Sequence, residues 1–280
     1  MIYIGENEVM NVYVGSDETN VYIGDTPYSD GGTVEIPKIA IYAISGMTVN
    51  DGDGYKEFVG RSVTAGNTGF LIMIPSGYTS FTFSYKVLNN VNNYTYVVSR
   101  NSSGGDYPSI PSRDTYASYT YNVLDTTKPT FLQIIFQVSG NNTYTTTPYM
   151  RVTWDSNTME IKQPKLPTVT ATTKQISGTE GNGYAKISHN LPRSTSKENT
   201  YTVSYTPTGP CAMAAMYSDD KGHTTRFTFS FNGYNWAGEN ILIYGSTSAM
   251  SVTAKMGYSN TSTSQYTATH NRQYEFYIMD

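Results

Sequence analysis

Little in this chain equips it for disulfide stapling, metal binding or familiar catalysis. A single cysteine, Cys211, excludes an intrachain disulfide, so the fold must be held by burial and strand pairing. This cysteine usage suits assembly in a reducing compartment. Cys211 lies in Cys211-Ala212-Met213-Ala214-Ala215-Met216 with no histidine near it in sequence, and reads as a small core hydrophobe rather than a nucleophile. Charged residues make up only 14% of the chain and the formal net charge is −4. The clustered basic footprint of a nucleic-acid-binding protein is missing. His189, His223 and His270 are far apart, and none has a partner at the short spacing of a zinc site. No apolar run approaches the ~20 residues of a membrane-spanning helix. The start has neither the basic segment nor the apolar stretch of a secretory signal, so export is not expected. Without export, the Asn-x-Ser/Thr triplets at Asn93, Asn101, Asn141 and Asn260 read as chance in an Asn/Thr-rich chain. Nowhere do apolar residues recur with helical period over three turns.

What the chain has is tyrosine, 26 of them, among many Thr, Ser and Asn. Such a composition favours strands with half-polar faces. Phe81, Phe83, Tyr85 and Val87 alternate with Thr82, Ser84 and Lys86, one face apolar and the other wet; Leu132, Ile134, Phe136 and Val138 do the same against Gln133 and Gln137, and Met150, Val152 and Trp154 close the series. Phe70-Leu71-Ile72-Met73-Ile74 is apolar throughout and predicts a central strand covered on both faces. Ser99 to Ser118 reads as a long loop. Pro164 and Pro167 cannot donate to a ladder, and a domain boundary is placed there. Beyond it, strands are predicted at Tyr184–Ser188, Tyr201–Tyr205, Phe227–Phe231, Ile241–Tyr244 and Tyr274–Met279.

The most distinctive feature is at the start. Ile2-Tyr3-Ile4-Gly5, Val12-Tyr13-Val14-Gly15 and Val21-Tyr22-Ile23-Gly24 are near-copies of one unit. Each is too short to bury its own apolar face and must stack on its neighbours or on another chain. Residues 1–32 therefore read as a docking arm, the alternative being an ordinary β-meander of the following domain. The expected architecture is all-β: an N-terminal repeat arm, then two antiparallel β-sandwich domains, jelly-roll or Ig-like, at 33–162 and 168–280.

The chain carries neither a Gly-x-Ser-x-Gly elbow nor a Walker lysine after a Gly-rich loop. Asn50-Asp51-Gly52-Asp53-Gly54 has neither the third oxygen ligand nor the spaced Glu of a calcium loop, and reads as a tight turn. Gly178-Thr179-Glu180-Gly181-Asn182-Gly183 precedes a strand rather than a helix, which argues against a phosphate cradle. A glycosidase carboxylate pair needs no sequence proximity, and nothing points to one. No catalytic residue, metal ligand or cofactor is assigned. Trp236, in the turn-rich Asn232-Gly233-Tyr234-Asn235-Trp236-Ala237-Gly238, either stacks on a sugar face or caps the sandwich. Tyr107, Tyr116 and Tyr119, bordering the long loop, are weaker candidates of the same sort.

Gly183-Tyr184-Ala185-Lys186-Ile187-Ser188-His189-Asn190-Leu191, followed by Tyr201-Thr202-Val203-Ser204-Tyr205-Thr206-Pro207, resembles a recurring module of tailed-phage fibre proteins. Phe227–Phe231, Ala237-Gly238 and Ile241–Tyr244 are similar to that module's closing strands, so the likeness spans roughly residues 175–245. Pro192-Arg193-Ser194 departs from its usual turn, and the residues after Gly245 do not align. The opening units resemble those of virion proteins from crAss-like and related phages of gut Bacteroidetes. The resemblance implies a non-enzymatic virion protein, a head fibre or a tail fibre or appendage subunit, assembled in the host cytoplasm. Ile2, Tyr3, Ile4, Val12, Tyr13, Val14, Val21, Tyr22 and Ile23 would dock it on capsid, portal/neck or tail proteins. It implies a homo-oligomer, a trimer by preference, with outward β-domains. A host-surface glycan is the expected ligand, at Tyr234 and Trp236 with Asn232, Asn235 and Asn240; no nucleic acid and no membrane span are expected. The alternative is a secreted or surface carbohydrate-binding module of a bacterium.

Overall fold

The computed structural model describes residues 2–4, 7–9, 11–12, 21–23, 26–27, 37–63, 66–88, 95–101, 104–106, 108, 114–138, 145–171, 184–191, 198–219, 227–231, 234–235, 242–245, 250–258 and 270–280. Every regular element among them is a β-strand, as the alternation predicts. The chain divides into two compact units, Met1–Pro37 and Lys38–Asp280.

In the first unit, Ile2–Ile4 pairs antiparallel with Asn7–Val9, placing Tyr3 opposite Glu8. Val21–Ile23 pairs with Asn11–Val12 on one side and Thr26–Pro27 on the other. Two of the Tyr-centred units are thus strands with antiparallel partners inside this unit, and Val12 of the remaining copy belongs to one of those partners. Tyr13 and Val14 fall outside the described residues.

The second unit is layered. Its outer sheet has the strand order Ala117–Asn122, Ser80–Leu88, Thr147–Thr153, Tyr55–Val59, Thr48–Gly52, antiparallel throughout. Against it lies one half of a ten-stranded sheet: Gly104–Asp106, Thr95–Asn101, Thr130–Val138, Gly66–Ile74, Ile39–Tyr42 and Met159–Lys162. Only the last pair of that half is parallel. Between the two layers the alternating residues meet as predicted. Phe81, Phe83, Tyr85 and Val87 from the outer sheet bury against Phe70, Ile72, Leu132, Ile134 and Phe136. Phe70 and Phe136 meet edge to face at 5.9 Å, an arrangement aromatic quadrupoles favour.

The other half of the ten-stranded sheet holds Cys211–Asp219, His270–Met279, Tyr184–Leu191 and Leu242–Gly245. A single pair, Ser218↔Gly66, joins it along the ladder to the first half. Most of the contact between the halves is face to face. Ala40, Tyr42, Leu71 and Phe131 pack on Ala212, Ala214, Met216, Tyr277 and Met279. This explains the continuous apolar run at Phe70–Ile74: its strand is covered on both faces, with one core in front and the other behind. A further five-stranded sheet runs Thr168–Ala171, Glu198–Tyr205, Met250–Tyr258, Phe227–Phe231, Tyr234–Asn235.

Polar devices tie early and late segments of this unit together. Arg61 forms an ion pair with Glu275, which is 2% exposed. The Tyr277 hydroxyl donates to the other Glu275 oxygen at 2.7 Å and accepts from the Ser45 amide at 3.3 Å. Gln133, expected on a wet face, is instead fully buried because the late strands cover the back of its sheet, and it donates to the Ala215 carbonyl at 3.1 Å. The proline segment expected at a domain boundary is pinned to the last strand: Lys165 and Ile278 exchange backbone hydrogen bonds of 2.8 and 3.0 Å, with Pro164 and Pro167 buried on either side.

Gly52 pairs with Tyr55 across Asp53-Gly54, so the Asp-Gly stretch is a hairpin turn, with Gly54 at φ +71°. The segment from Ser99 to Ser118, expected as a loop, is shorter than predicted. Gly104–Asp106 pairs back on Ser99–Asn101, and Ala117 already belongs to the outer sheet. Gly-Gly-Asp has turn composition, and pairing with a neighbour is what makes it a strand. Cys211 is fully buried, as a core hydrophobe should be.

Candidate functional site

The outer sheet has an inner and an outer face by strict alternation. Phe58, Phe83, Tyr85, Met150 and Val152 point into the core. Their sequence neighbours Tyr55, Glu57, Ser84, Lys86, Tyr149 and Arg151 therefore share the opposite face. Register then decides who meets whom. Glu57 pairs with Asn50 on one side and Arg151 on the other, Arg151 with Ser84, and Lys86 with Tyr149. Tyr116, just before the edge strand Ala117–Asn122, completes the group.

These side chains form an alternating stack of rings and cations. The Arg151 guanidinium lies 4.1 Å from the Tyr116 ring centre and 4.8 Å from that of Tyr55. The Lys86 ammonium is 4.7 Å from the Tyr116 ring and 4.8 Å from the Tyr149 ring. The order is therefore Tyr55, Arg151, Tyr116, Lys86, Tyr149. Each such contact is worth about 0.5–1 kcal/mol at an exposed site and, more to the point, restrains a long cationic side chain. Glu57 anchors the centre, accepting from Arg151 Nε at 2.8 Å and from the Tyr116 hydroxyl.

Electrostatics match that geometry. Burial, the largest influence on Glu57, pushes its carboxyl up, but bonds from Tyr116 and Arg151, the Arg151 charge and a bond from Asn50 together hold it below the ordinary value. Burial, then the bond to Glu57 and its charge, pushes the Tyr116 hydroxyl well above its usual range. Tyr116 thus stays protonated at neutral pH and serves as a donor, which argues against a nucleophilic part for this Tyr–Glu pair. Beside Arg151 the face dips into an open depression of about 230 Å³, bordered by Tyr55, Thr82, Ser84 and Thr153. Among the described residues, no group of three or more His, Cys, Asp or Glu could hold a metal ion.

Of the residues singled out from sequence, the structure brings Tyr116 into this face. Tyr119 packs partly buried on the first core instead, and Tyr107 lies outside the described residues. Trp154 leans on Phe58 at 6.2 Å and is part of that core's rim. Ile2, Tyr3, Ile4, Val12, Val21, Tyr22 and Ile23 are strand residues of the first unit. Tyr234 and Asn235 form a short strand opposite Phe231 and Ser230. Their side chains, and Trp236, Asn232 and Asn240 entirely, lie outside the described residues. Sequence reasoning missed Tyr55, Glu57, Lys86, Tyr149 and Arg151. The available signal was the pair of motifs Tyr55-Lys56-Glu57 and Tyr149-Met150-Arg151, each putting an aromatic and a charge on one strand face two residues apart.

No family model matches this chain, and no curated protein matches it.

Proposed function

We propose that this chain is a structural subunit of a tailed-phage virion, a head fibre or a tail fibre or appendage, that docks through residues 1–32 and presents β-domains able to hold host-surface glycans. The observation that carries this reading is the run of three Tyr-centred units at the start, followed by the fibre-module-like stretch near 175–245. In keeping with it, Met1–Pro37 is a compact unit of its own and the rest is built from strands. The division into sandwich domains at 33–162 and 168–280, the docking role of the repeats and the trimeric state belong to the same proposal. So do the partners, which are capsid, portal/neck or tail proteins and further copies of the chain. The ring-and-cation face gives the β-body a surface suited to a polar ligand. That face equally favours a second reading, a carbohydrate-binding module of a bacterial surface.

Deleting residues 1–32 separates the two. The virion reading expects a folded, soluble product by circular dichroism that no longer co-purifies with particles when supplied during infection. A truncated chain that unfolds places the arm in the core of the following domain, and one that still joins particles removes the docking role. Native mass spectrometry of the intact chain is expected to give a trimer.

A further inference from the structure

We propose that the outer face around Arg151 and Lys86 is a binding site for an acidic saccharide, with the two cations taking its carboxylate or sulfate and the adjoining depression taking the sugar ring. The inference deepens the glycan-binding part of the reading above and rests on that part, not on virion attachment.

Charge is the first argument. In a chain of net charge −4, this face brings together two cations and a single carboxylate, Glu57. Glu57 is already engaged by Arg151 Nε and Tyr116. Among the described residues, the terminal guanidinium nitrogens of Arg151 make no hydrogen bond and Lys86 makes no ion pair, so both keep donors for an incoming anion. The Arg151 side chain is 36% exposed and can be reached from solvent.

Preorganisation is the second. An ordinary surface Arg or Lys loses several rotamers when it clamps a ligand. Here the rings of Tyr55, Tyr116 and Tyr149 hold both cations in place beforehand. A planar fork held rigid beside hydroxyls is the arrangement that recognises a carboxylate or sulfate in two-pronged fashion. The depression supplies the hydroxyls: Thr82, Ser84 and Thr153 line it with Tyr55, and Thr82 is already bonded to Thr120 at 2.8 Å. At about 230 Å³ it is small and open, suited to one ring of a longer glycan rather than to an enclosed apolar ligand.

Two other ligand classes fit less well. Single-stranded nucleic acid needs uncovered ring faces on which bases stack and a track of cations along its phosphates. Here the rings lie against Arg151 and Lys86, and the face holds two cations. A neutral sugar would likewise want a bare ring face and would leave both charges unused.

The test uses the full chain on an array of uronate-bearing, sialylated, sulfated and neutral glycans, with an oligothymidylate as the nucleic-acid probe. Affinities of the glycans retained are then measured by calorimetry. Retention is expected on acidic glycans and not on neutral ones or the oligonucleotide, weakening as salt rises. Arg151→Met is expected to weaken binding about 10- to 100-fold, the loss of a charged hydrogen-bonding group. Because Arg151 also supports Glu57, Lys86→Gln serves as the second variant. It removes only the two ring contacts and no hydrogen bond or ion pair among the described residues, and is expected to weaken binding while the thermal melt falls by no more than a few degrees. Equal retention of neutral glycans, binding to the oligonucleotide alone, or acidic binding untouched by both variants overturns the inference and leaves glycan binding elsewhere on the chain open. Retention of no glycan overturns it together with the glycan-binding part of the reading, while docking is judged separately by the truncation.

Discussion

Tyr116 and Cys211 show how burial rather than residue type sets reactivity. Burial and the charge of Asp280 push the Cys211 thiol up to about 11. Since the thiolate is the reactive form, native protein at pH 8 should resist a thiol-reactive dye, and labelling should become fast only in denaturant. Rapid labelling of the native chain would contradict the burial. Because the folded value lies above the ordinary ~8.5, the stability linked to this thiol is present below that pH and fades as pH rises through about 11. Glu57 has the opposite sign. Its carboxyl is held low, so its contribution is present above ~4.3 and is lost as pH falls further. Tyr116 is raised, so its contribution holds below ~10 and fades in stronger alkali. The ring-and-cation face should therefore be intact from about pH 5 to 9. Tyrosinate absorbance on alkaline titration should show fewer ionising tyrosines in the folded wild type than in Tyr116→Phe plus one.

Between Gly66–Ile74 and Thr130–Val138, at the centre of the second unit, one backbone position leaves no room for a side chain. Gly69 sits there at φ +155°, and a Cβ on it would lie 1.8 Å from the Ile134 carbonyl oxygen. Gly69→Ala must push the two central strands apart. A loss near or above the upper end of the ~1–3 kcal/mol overpacking range is expected in urea unfolding. An unchanged midpoint would mean that the strands are farther apart than described. Phe136, fully buried and touching the rings of both Phe70 and Tyr85, tests the opposite defect. Phe136→Ala should cost about 3–5 kcal/mol through lost burial and the cavity left behind.

For the whole molecule, the Arg61–Glu275 pair is the most informative contact, because its partners stand 214 residues apart in the chain. Arg61→Ala leaves a carboxylate that is 2% exposed and that keeps, among the described residues, the Tyr277 hydroxyl as its charge-stabilising donor. Given that one donor among the described residues, the expected cost is about 3 kcal/mol, the lower end for breaking a buried pair by removing one partner. Early and late segments should lose protection together in hydrogen exchange. Loss confined to residues near Arg61 would show that the two halves of the ten-stranded sheet open independently.

Alternation in Ser80–Leu88 and Thr147–Thr153, and the apolar run at Phe70–Ile74, were enough to place strands, faces and the doubly covered centre. In Thr130–Val138 alternation placed only the inner face, since the face read as wet is buried too, Gln133 included. These patterns are local, because side chains two apart on a strand must share a face and an apolar face must be buried. The same alternation put Lys86, Tyr149 and Arg151 on a wet face, yet no local rule says which wet residues become neighbours. That depends on strand order and register. Tyr55–Val59 lies between Thr48–Gly52 and Thr147–Thr153, and Ser80–Leu88 between Thr147–Thr153 and Ala117–Asn122. The apolar back of the first half, Tyr42, Leu71 and Phe131, likewise needed a cover that the chain supplies only after residue 210. What the sequence alone determined is the β-class and which residues of its alternating strands face the first core. Which cation stands between which rings, and which late strands close the second core, is decided by long-range pairing that only the folded chain specifies.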